Sequence, residues 1–416
     1  MKISCAVLAM AFIATPGLAA EPDNLSLPPG FHATVVADGL GPARHLSIRN
    51  NGDIYVSTGR GVAPQGGAGI IAIHLGPDHK ADITKAFGVV DGGTGIRFWH
   101  GALYAASSSR VYRFSFHGKS LLPDPEPTVI VDNIPKSKQS NHAIAIDGKG
   151  NLYVSVDGTD NICTAPKPPG GTAPVGVKPC PDLGVRAGIW RFSATKTGQS
   201  FEKGEQIATG IRDLNALDPA PDGTLYGIMH GRDTTARQFP TVATQADDDH
   251  IADEMAAISK GADFGWPYSY YDGERKLQLV APEYGGDGKT VATGNYVKPV
   301  VTFQSRRAAP LDIAFYEGKN FPAQYRGGAF IALHGTGGEN IEGGKTGHNI
   351  VFVPRSKTGK MGSPIVFADG FFVPAQTRGA PQTANYRPSG VAVGPDGALY
   401  VVDSTKGRLW RIAYGG

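Results

Sequence analysis

The chain has 416 residues, with 40 Lys plus Arg against 37 Asp plus Glu. This near-neutral balance, with no basic run or stripe, argues against a nucleic-acid partner. The 57 glycines and 31 prolines accompany an ordinary apolar content of 41%, so they mark turns rather than disorder.

Residues 1–20 read as a secretory signal: Lys2, an apolar stretch over 6–14, and the small-residue end Gly17-Leu18-Ala19-Ala20. The stretch is too short to span a bilayer, and no other stretch is a candidate. The expectation is a mature chain from about Glu21, periplasmic or secreted. The segment GFHATVVADGL (30–40) is strand-like but has no hairpin partner of its own.

From His45 onward a motif recurs: an apolar strand, a tight turn, and a second strand ending in a small or aspartate-bearing loop. The clearest copies are HLSIRNNGDIYVSTGRG (45–61), HAIAIDGKGNLYVSVDG (142–158), ALDPAPDGTLYGIMHGRD (216–233) and GVAVGPDGALYVVDSTKGRLWRI (390–412). Weaker copies begin at Ile96 and Pro310. The dipeptides Asn51-Gly52, Asp147-Gly148, Asp222-Gly223 and Asp396-Gly397 tolerate positive φ, as two-residue hairpins require. A unit of this kind cannot bury both faces alone, so copies must stack. Six of them predict an all-β, six-bladed β-propeller over residues 21–416, with inserted loops and a pocket on the axis. The strand at 30–40 is expected to complete the last blade, which removes an exposed edge.

Cys163 and Cys180 bracket a Pro/Gly-rich loop and predict a disulfide in an oxidising compartment. They lack the C-x-x-C spacing of a metal or redox pair. Residues 233–305 are too long for a plain connection, and 335–347 form a second, Gly-rich insertion. Within the first, IADEMAAISK (251–260) is the best candidate for a short helix. The run Asp247-Asp248-Asp249-His250 reads as a solvated acidic loop. Asp253 and Glu254 read as support for a calcium ion or for the 230–233 loop, or as a helix N-terminal pair. Tyr268, Tyr270 and Tyr271 suit a sugar-facing surface or packing between blades. No haem attachment motif, G-x-S-x-G elbow or H-E-x-x-H occurs.

The block HGRD (230–233), followed by ADEMAAISKGADFGWPY (252–268), resembles the soluble quinoprotein dehydrogenases. These are six-bladed propellers that use pyrroloquinoline quinone (PQQ) and calcium, and the aldose and sorbosone dehydrogenase branch is the most similar. LPPGFHATVVADGLGPAR, RAAPLDIAFYEGKNFPAQYRGGAFIALHG (307–335) and NYRPSGVAVGPDGALYVVDSTKGRLWRI carry the likeness across nearly the whole mature chain. The resemblance implies oxidation of a sugar or related alcohol or aldehyde by hydride transfer to PQQ. It implies His142 as general base and Arg212 as donor to the quinone oxygen. The carbonyls of Gly231 and Arg232 would bind calcium. Arg387 and Lys345 would pair with quinone carboxylates; Trp266 reads first as a packing anchor with its indole N–H satisfied and second as a wall of the cofactor. Asp213 stands where the family has asparagine, with Asn215 nearby. With no haem in the chain, electrons would leave through a separate acceptor. Two alternatives stay open: a calcium-dependent lactonase-type hydrolase using Asp157, Asp213, Asn215 and Glu254, and a non-catalytic binding propeller.

Overall fold

The hairpin turns set the local geometry. In the four clearest copies the N–H groups of Gly52, Gly150, Gly223 and Gly397 donate to the carbonyls of Arg49, Asp147, Ala220 and Gly394. These glycines have φ between 75° and 93°. The ladder closes one residue later, where Arg49, Asp147, Ala220 and Gly394 donate to Asp53, Asn151, Thr224 and Ala398. The turns are therefore three-residue loops ended by a left-handed glycine, not the two-residue loops expected. In the third copy that glycine is Gly150 rather than Gly148.

The computed structural model describes residues 25–58, 69–88, 92–136, 141–165, 173–304, 308–335, 347–372 and 386–415. The expected signal segment and Lys345 lie outside them. Among the described residues six sheets each carry four antiparallel strands in chain order. The first blade holds Leu46–Ile48, Ile54–Ser57, Ile70–Leu75 and Ala81–Phe87, and the second Ile96–Trp99, Ala102–Ala106, Val111–Phe114 and Thr128–Asp132. The third holds Ile144–Ile146, Asn151–Val156, Gly188–Ser193 and Glu205–Thr209. The fourth holds Leu214–Pro219, Leu225–Met229, Ala252–Ile258 and Val301–Gln304. The fifth holds Pro310–Phe315, Ala329–Leu333, Asn349–Val353 and Ile365–Ala368. The sixth takes Pro388–Val393, Leu399–Asp403 and Leu409–Tyr414 from the C-terminus, and Phe31–Ala37 pairs antiparallel with Leu409–Tyr414 as its fourth strand.

The first strand of each blade packs against the first strands of both neighbours, so the six surround one axis. A separate hydrophobic cluster fills each of the six junctions between blades. The junction of blades five and six is the most aromatic, with Phe31, Phe321, Tyr325, Phe330 and Phe367 meeting mostly edge to face. Two short segments add parallel strands to the edge of the preceding blade: Gln199–Ser200 on the second and Ala262–Asp263 on the third. This is a six-bladed β-propeller with very few helices.

The expected helix at 251–260 is a strand. Ala252–Ile258 pairs on one side with Leu225–Met229 and on the other with Val301–Gln304, the fourth strand, and nearly all of it is buried. Ladder pairing on both edges overrides the helix propensity of its alanines. The helices of this insertion lie earlier, at Thr235–Gln238 and Gln245–His250. The acidic run is thus the second of these, capped by a Thr244/Asp247 capping box. Asp248 is not solvated: it is buried and accepts the Ala236 N–H at 3.0 Å.

Side chains plug the axis at mid-height. Arg97 reaches from the second blade to the Leu217 carbonyl and the Asp312 carboxylate, at 3.1 and 3.3 Å. Asp312 also accepts the N–H groups of Ile313 and Val391, which ties blades five and six to the same charge. His45 spans Thr94 and Leu311 carbonyls at 3.0 and 2.7 Å. The plug separates two cavities, one at each end of the inner strands.

Candidate functional site

One backbone hydrogen bond repeats at the same mouth of every blade. The N–H groups of Ser57, Ala106, Ser155, His230, His334 and Ser404 donate to the carbonyls of His45, Gly95, Ala143, Asp213, Ala309 and Arg387. These twelve positions are equivalent by fold, so differences among them are chemical choices. The residue before each first-strand position is Arg44, Thr94, His142, Arg212, Ala308 or Tyr386. At this mouth lies a cavity of about 650 Å³, lined by Arg44, Thr58, Thr94, Asn141, Asp157, Arg212, Asp213 and the 158–161 loop. That volume is within the ~300–1,000 Å³ range of small-molecule sites.

Its charged wall comes from the third and fourth blades. Arg212 donates through Nη1 to the Gly231 carbonyl at 2.6 Å and through Nη2 to Asp233. Its Nε is buried with no partner. Asp213 accepts from Asn215 Nδ2 at 2.7 Å and faces His230 Nδ1 at 3.6 Å, while His230 Nε2 donates to the Pro310 carbonyl at 2.6 Å. Burial alone would lower the pKa of His230, but Asp213, Asp253 and the Pro310 carbonyl outweigh it and raise it to about 9. Burial likewise opposes ionisation of Asp213, yet His230, Arg212 and Arg44 hold its carboxyl below the usual range. Asp157 behaves in the opposite way: burial and then the Asp213 charge push it well above that range. Asp157 Oδ1 accepts the Leu214 N–H at 3.0 Å, and Oδ2 is buried with no partner.

The structure brings some expected site residues here and places others elsewhere. Arg212 and Asp213 line the cavity. His142 does not: it is 1% exposed, and its two ring nitrogens face the carbonyls of Ser155 and Ser108 at 2.9 and 3.2 Å. Its ring faces the seam between blades two and three, and Asn141 lines the cavity wall. Gly231 offers a carbonyl already held by the Arg212 guanidinium, and its N–H goes to Asp253 at 2.9 Å. The Arg232 side chain is buried in an ion pair with Glu283 at 2.9 Å, against Phe239 and Tyr270. Arg387 holds the carbonyls of His334 and Gly335.

Trp266 does not line the cavity either; it supports the wall from behind. Its indole N–H donates to the Asn161 carbonyl at 3.0 Å, and its ring packs with Ala187 and the Cys163–Cys180 disulfide. The ring lies so close to Gly158 that a methyl group there would meet it at 2.7 Å. Tyr268 is packing too: it accepts the Cys180 N–H and meets Tyr284 edge to face. The bridge closes a separation of 17 residues, a constraint worth about 3 kcal/mol by the chain-entropy model. Replacing both cysteines by serine is expected to lower stability by about that amount and to raise KM more than it lowers kcat. Denaturant titration and steady-state kinetics check both.

Two contributors escaped the sequence reading. Arg44 precedes the inner strand of the first blade just as Arg212 does in the fourth, so aligning the copies would have found it. His230 was read only as a neighbour of carbonyl ligands. Its signal was a large side chain at a second-strand position where four blades have Ser or Ala.

A family model described as TrAA12-like matches residues 25–414. Among solved structures, the holo PQQ domain of pyranose dehydrogenase from Coprinopsis cinerea superposes with a TM-score of 0.75 at 18% identity, covering 96% of this chain and 99% of that one. A calcium structure of a family AA12 carbohydrate-active enzyme from Trichoderma reesei gives 0.73 at 17% identity, covering 97% and 100%. The PQQ-bound aldose sugar dehydrogenase of Streptomyces coelicolor gives 0.54 at 19% identity, covering 93% and 99%. The six-bladed propeller architecture drawn from the sequence is shared with all three.

Proposed function

Because the chain belongs to the TrAA12-like family, we propose that it is an exported, PQQ-dependent dehydrogenase of sugars or related alcohols. The observation that carries this reading is the pairing of cations and carboxylates in one axial cavity. Arg44 and Arg212 line it beside Asp157 and Asp213, and the buried Arg212 Nε lacks a partner. Arg44 and Arg212 can each pair with a carboxylate of a planar tricarboxylate in a fixed planar geometry, while Asp157, Asp160, Asp213 and Asp233 on the same lining repel one unless protonated. When bound, PQQ supplies a two-electron hydride acceptor. Arg44 would hold a carboxylate of the cofactor, and the Arg212 guanidinium would donate to an acceptor oxygen where negative charge grows. The Asp157–Asn161 wall, braced by Trp266, would position the sugar and exclude water.

Calcium is proposed from the resemblance and from the fungal calcium structure. The 231–232 turn as arranged does not fit it: a divalent ion on the Gly231 carbonyl would face the Arg212 guanidinium 2.6 Å from that oxygen. No step is derived through the metal. Export is proposed from the N-terminal sequence pattern and accords with the disulfide. No helix among the described residues is long and apolar enough to cross a membrane. Reoxidation would need a separate electron acceptor.

The alternatives have less behind them. A lactonase-type site needs Asp157, Asp213, Asn215 and Glu254 on one cation. Glu254 instead lines a small separate cavity behind the 230–232 turn. A purely binding propeller would have its axis filled at this mouth, whereas the plug lies below an open cavity.

Anaerobic addition of aldoses, alcohols and aldehydes to PQQ-loaded protein tests the reading by quinone absorbance. At least one sugar is expected to reduce the quinone within seconds to minutes. A protein that takes up no PQQ, or takes it up and is reduced by nothing in the panel, contradicts it.

A further inference from the structure

Beyond the plug, the other end of the axis holds a second cavity of about 680 Å³. It too has the size of a small-molecule site, and no part of the quinone reading uses it. On the first strand of every blade, one residue pairs with a Tyr or Phe of the second strand: Ser47, Arg97, Ala145, Asp218, Ala314 and Ala392. The six positions are equivalent by fold. Four carry Ala or Ser, which leaves space, and the other two carry opposite charges. All but Ala145 line the cavity.

The two charges are close without being joined. Asp218 Oδ2 accepts the Phe315 N–H at 3.2 Å. Arg97 gives its terminal nitrogens to the Ile96 and Leu217 carbonyls and to Asp312. That leaves Arg97 Nε and Asp218 Oδ1, which stand 3.8 Å apart, too far for a hydrogen bond. Among the described residues neither atom has another hydrogen-bond partner. Nor is either sealed from solvent, since the side chains are 17% and 21% exposed.

The gap calls for one group that accepts from Nε–H and donates to Oδ1. A hydroxyl does both, whereas a carboxylate only accepts and an ammonium only donates. The charges on the described lining also balance, Arg97 and Lys319 against Asp218 and Glu317, so neither sign of ion is favoured. Phe98, Ile313 and Val391 add apolar residues to the same lining, as small-molecule pockets require. We infer that this cavity binds a neutral polyhydroxylated molecule, a sugar or sugar alcohol, through a hydroxyl that bridges Arg97 Nε and Asp218 Oδ1. The plug separates this site from the quinone cavity, and the inference stands or falls independently of PQQ.

The Arg97 Nε–H resonance of mature protein labelled with nitrogen-15 arginine reads the site directly, and its loss in Arg97→Lys assigns it. D-glucose and D-sorbitol are the probes, with sodium acetate and methylammonium chloride at equal ionic strength as controls. The resonance is expected to move saturably with the polyols and with neither ion. Asp218→Ala is expected to weaken the response by about tenfold or more. Arg212→Ala, at the opposite mouth, should leave it within about twofold of wild type. Asp218→Asn keeps an acceptor for the Phe315 N–H and carries the test if the alanine variant does not fold, which urea midpoints report; it should weaken binding by a smaller factor. A response to one polyol alone keeps the inference and tells a ring sugar from an open chain. A resonance that neither polyol moves, so that water alone bridges the pair, overturns it. So does a saturable shift with acetate or methylammonium instead, or a polyol affinity that both Asp218 variants leave unchanged.

Discussion

Arg212→Ala is expected to weaken PQQ binding by about 10–150-fold, since charge-assisted hydrogen bonds are worth ~1.5–3 kcal/mol each and 1.4 kcal/mol is a factor of ten. The substitution removes a guanidinium that lines the cavity and whose Nε is buried without a partner. It also releases the Gly231 carbonyl and the Asp233 carboxylate, which loosens the 230–233 turn. A lysine in its place keeps the charge but not the planar fork, so Arg212→Lys is expected to recover only part of the affinity. Reduction of whatever quinone still binds should slow further, because the donor acts where charge develops during transfer. Calorimetry on both variants, beside a thermal melt that reports on the turn, separates loss of affinity from loss of fold. Wild-type affinity in Arg212→Ala would mean that this guanidinium only holds loop carbonyls.

The second large effect concerns the axis itself. Asp312→Ala is expected to destabilise the protein by about 3–5 kcal/mol, the cost of leaving a buried charge without its partner. Asp312 is 0% exposed, and its carboxylate receives Arg97, Ile313 N–H and Val391 N–H from three different blades. Its loss strands the Arg97 guanidinium, whose remaining partners are the Ile96 and Leu217 carbonyls and the more distant Asp218. Asp312→Asn keeps one acceptor oxygen and should cost less. A double variant with Arg97→Met removes both charges and is expected to recover much of the loss. Urea midpoints of the four proteins decide this; equal midpoints for wild type and Asp312→Ala would show that the plug is not an energetic keystone of the ring.

Much of the fold was legible because a strand–turn–strand unit repeats its chemistry whenever it repeats its geometry. Each clear copy carries a glycine after a polar turn residue, and each glycine sits at positive φ. The loop was misjudged by one residue, since Asn-Gly and Asp-Gly occur both in two-residue turns and at the end of three-residue ones. The Cys163–Cys180 pair was legible because it brackets a single loop of an oxidisable chain. Ala252–Ile258 was not, because sequence does not say that both of its edges would find a partner strand.

The site was only half legible for a similar reason. Arg212 lines the cavity at its position in the repeat, and Arg44 lines it at the equivalent position of the first blade. The ring of His142 turns into the seam, where the carbonyls of Ser155 and Ser108 face it. Which way a side chain turns at the start of an inner strand depends on the adjacent blade, and that information is not local. Asp157 and Asp213 were visible as carboxylates; the opposite directions in which their pKa values are pushed depend on burial and on His230, 17 residues from Asp213.

A crystal structure of the mature protein grown with PQQ tests most directly whether the mouth of the axis is a quinone site. One planar molecule is expected in the cavity, with carboxylates against Arg44 and an acceptor oxygen within hydrogen-bond distance of the Arg212 guanidinium. Density for PQQ elsewhere on the propeller, with this cavity holding only water, would contradict it.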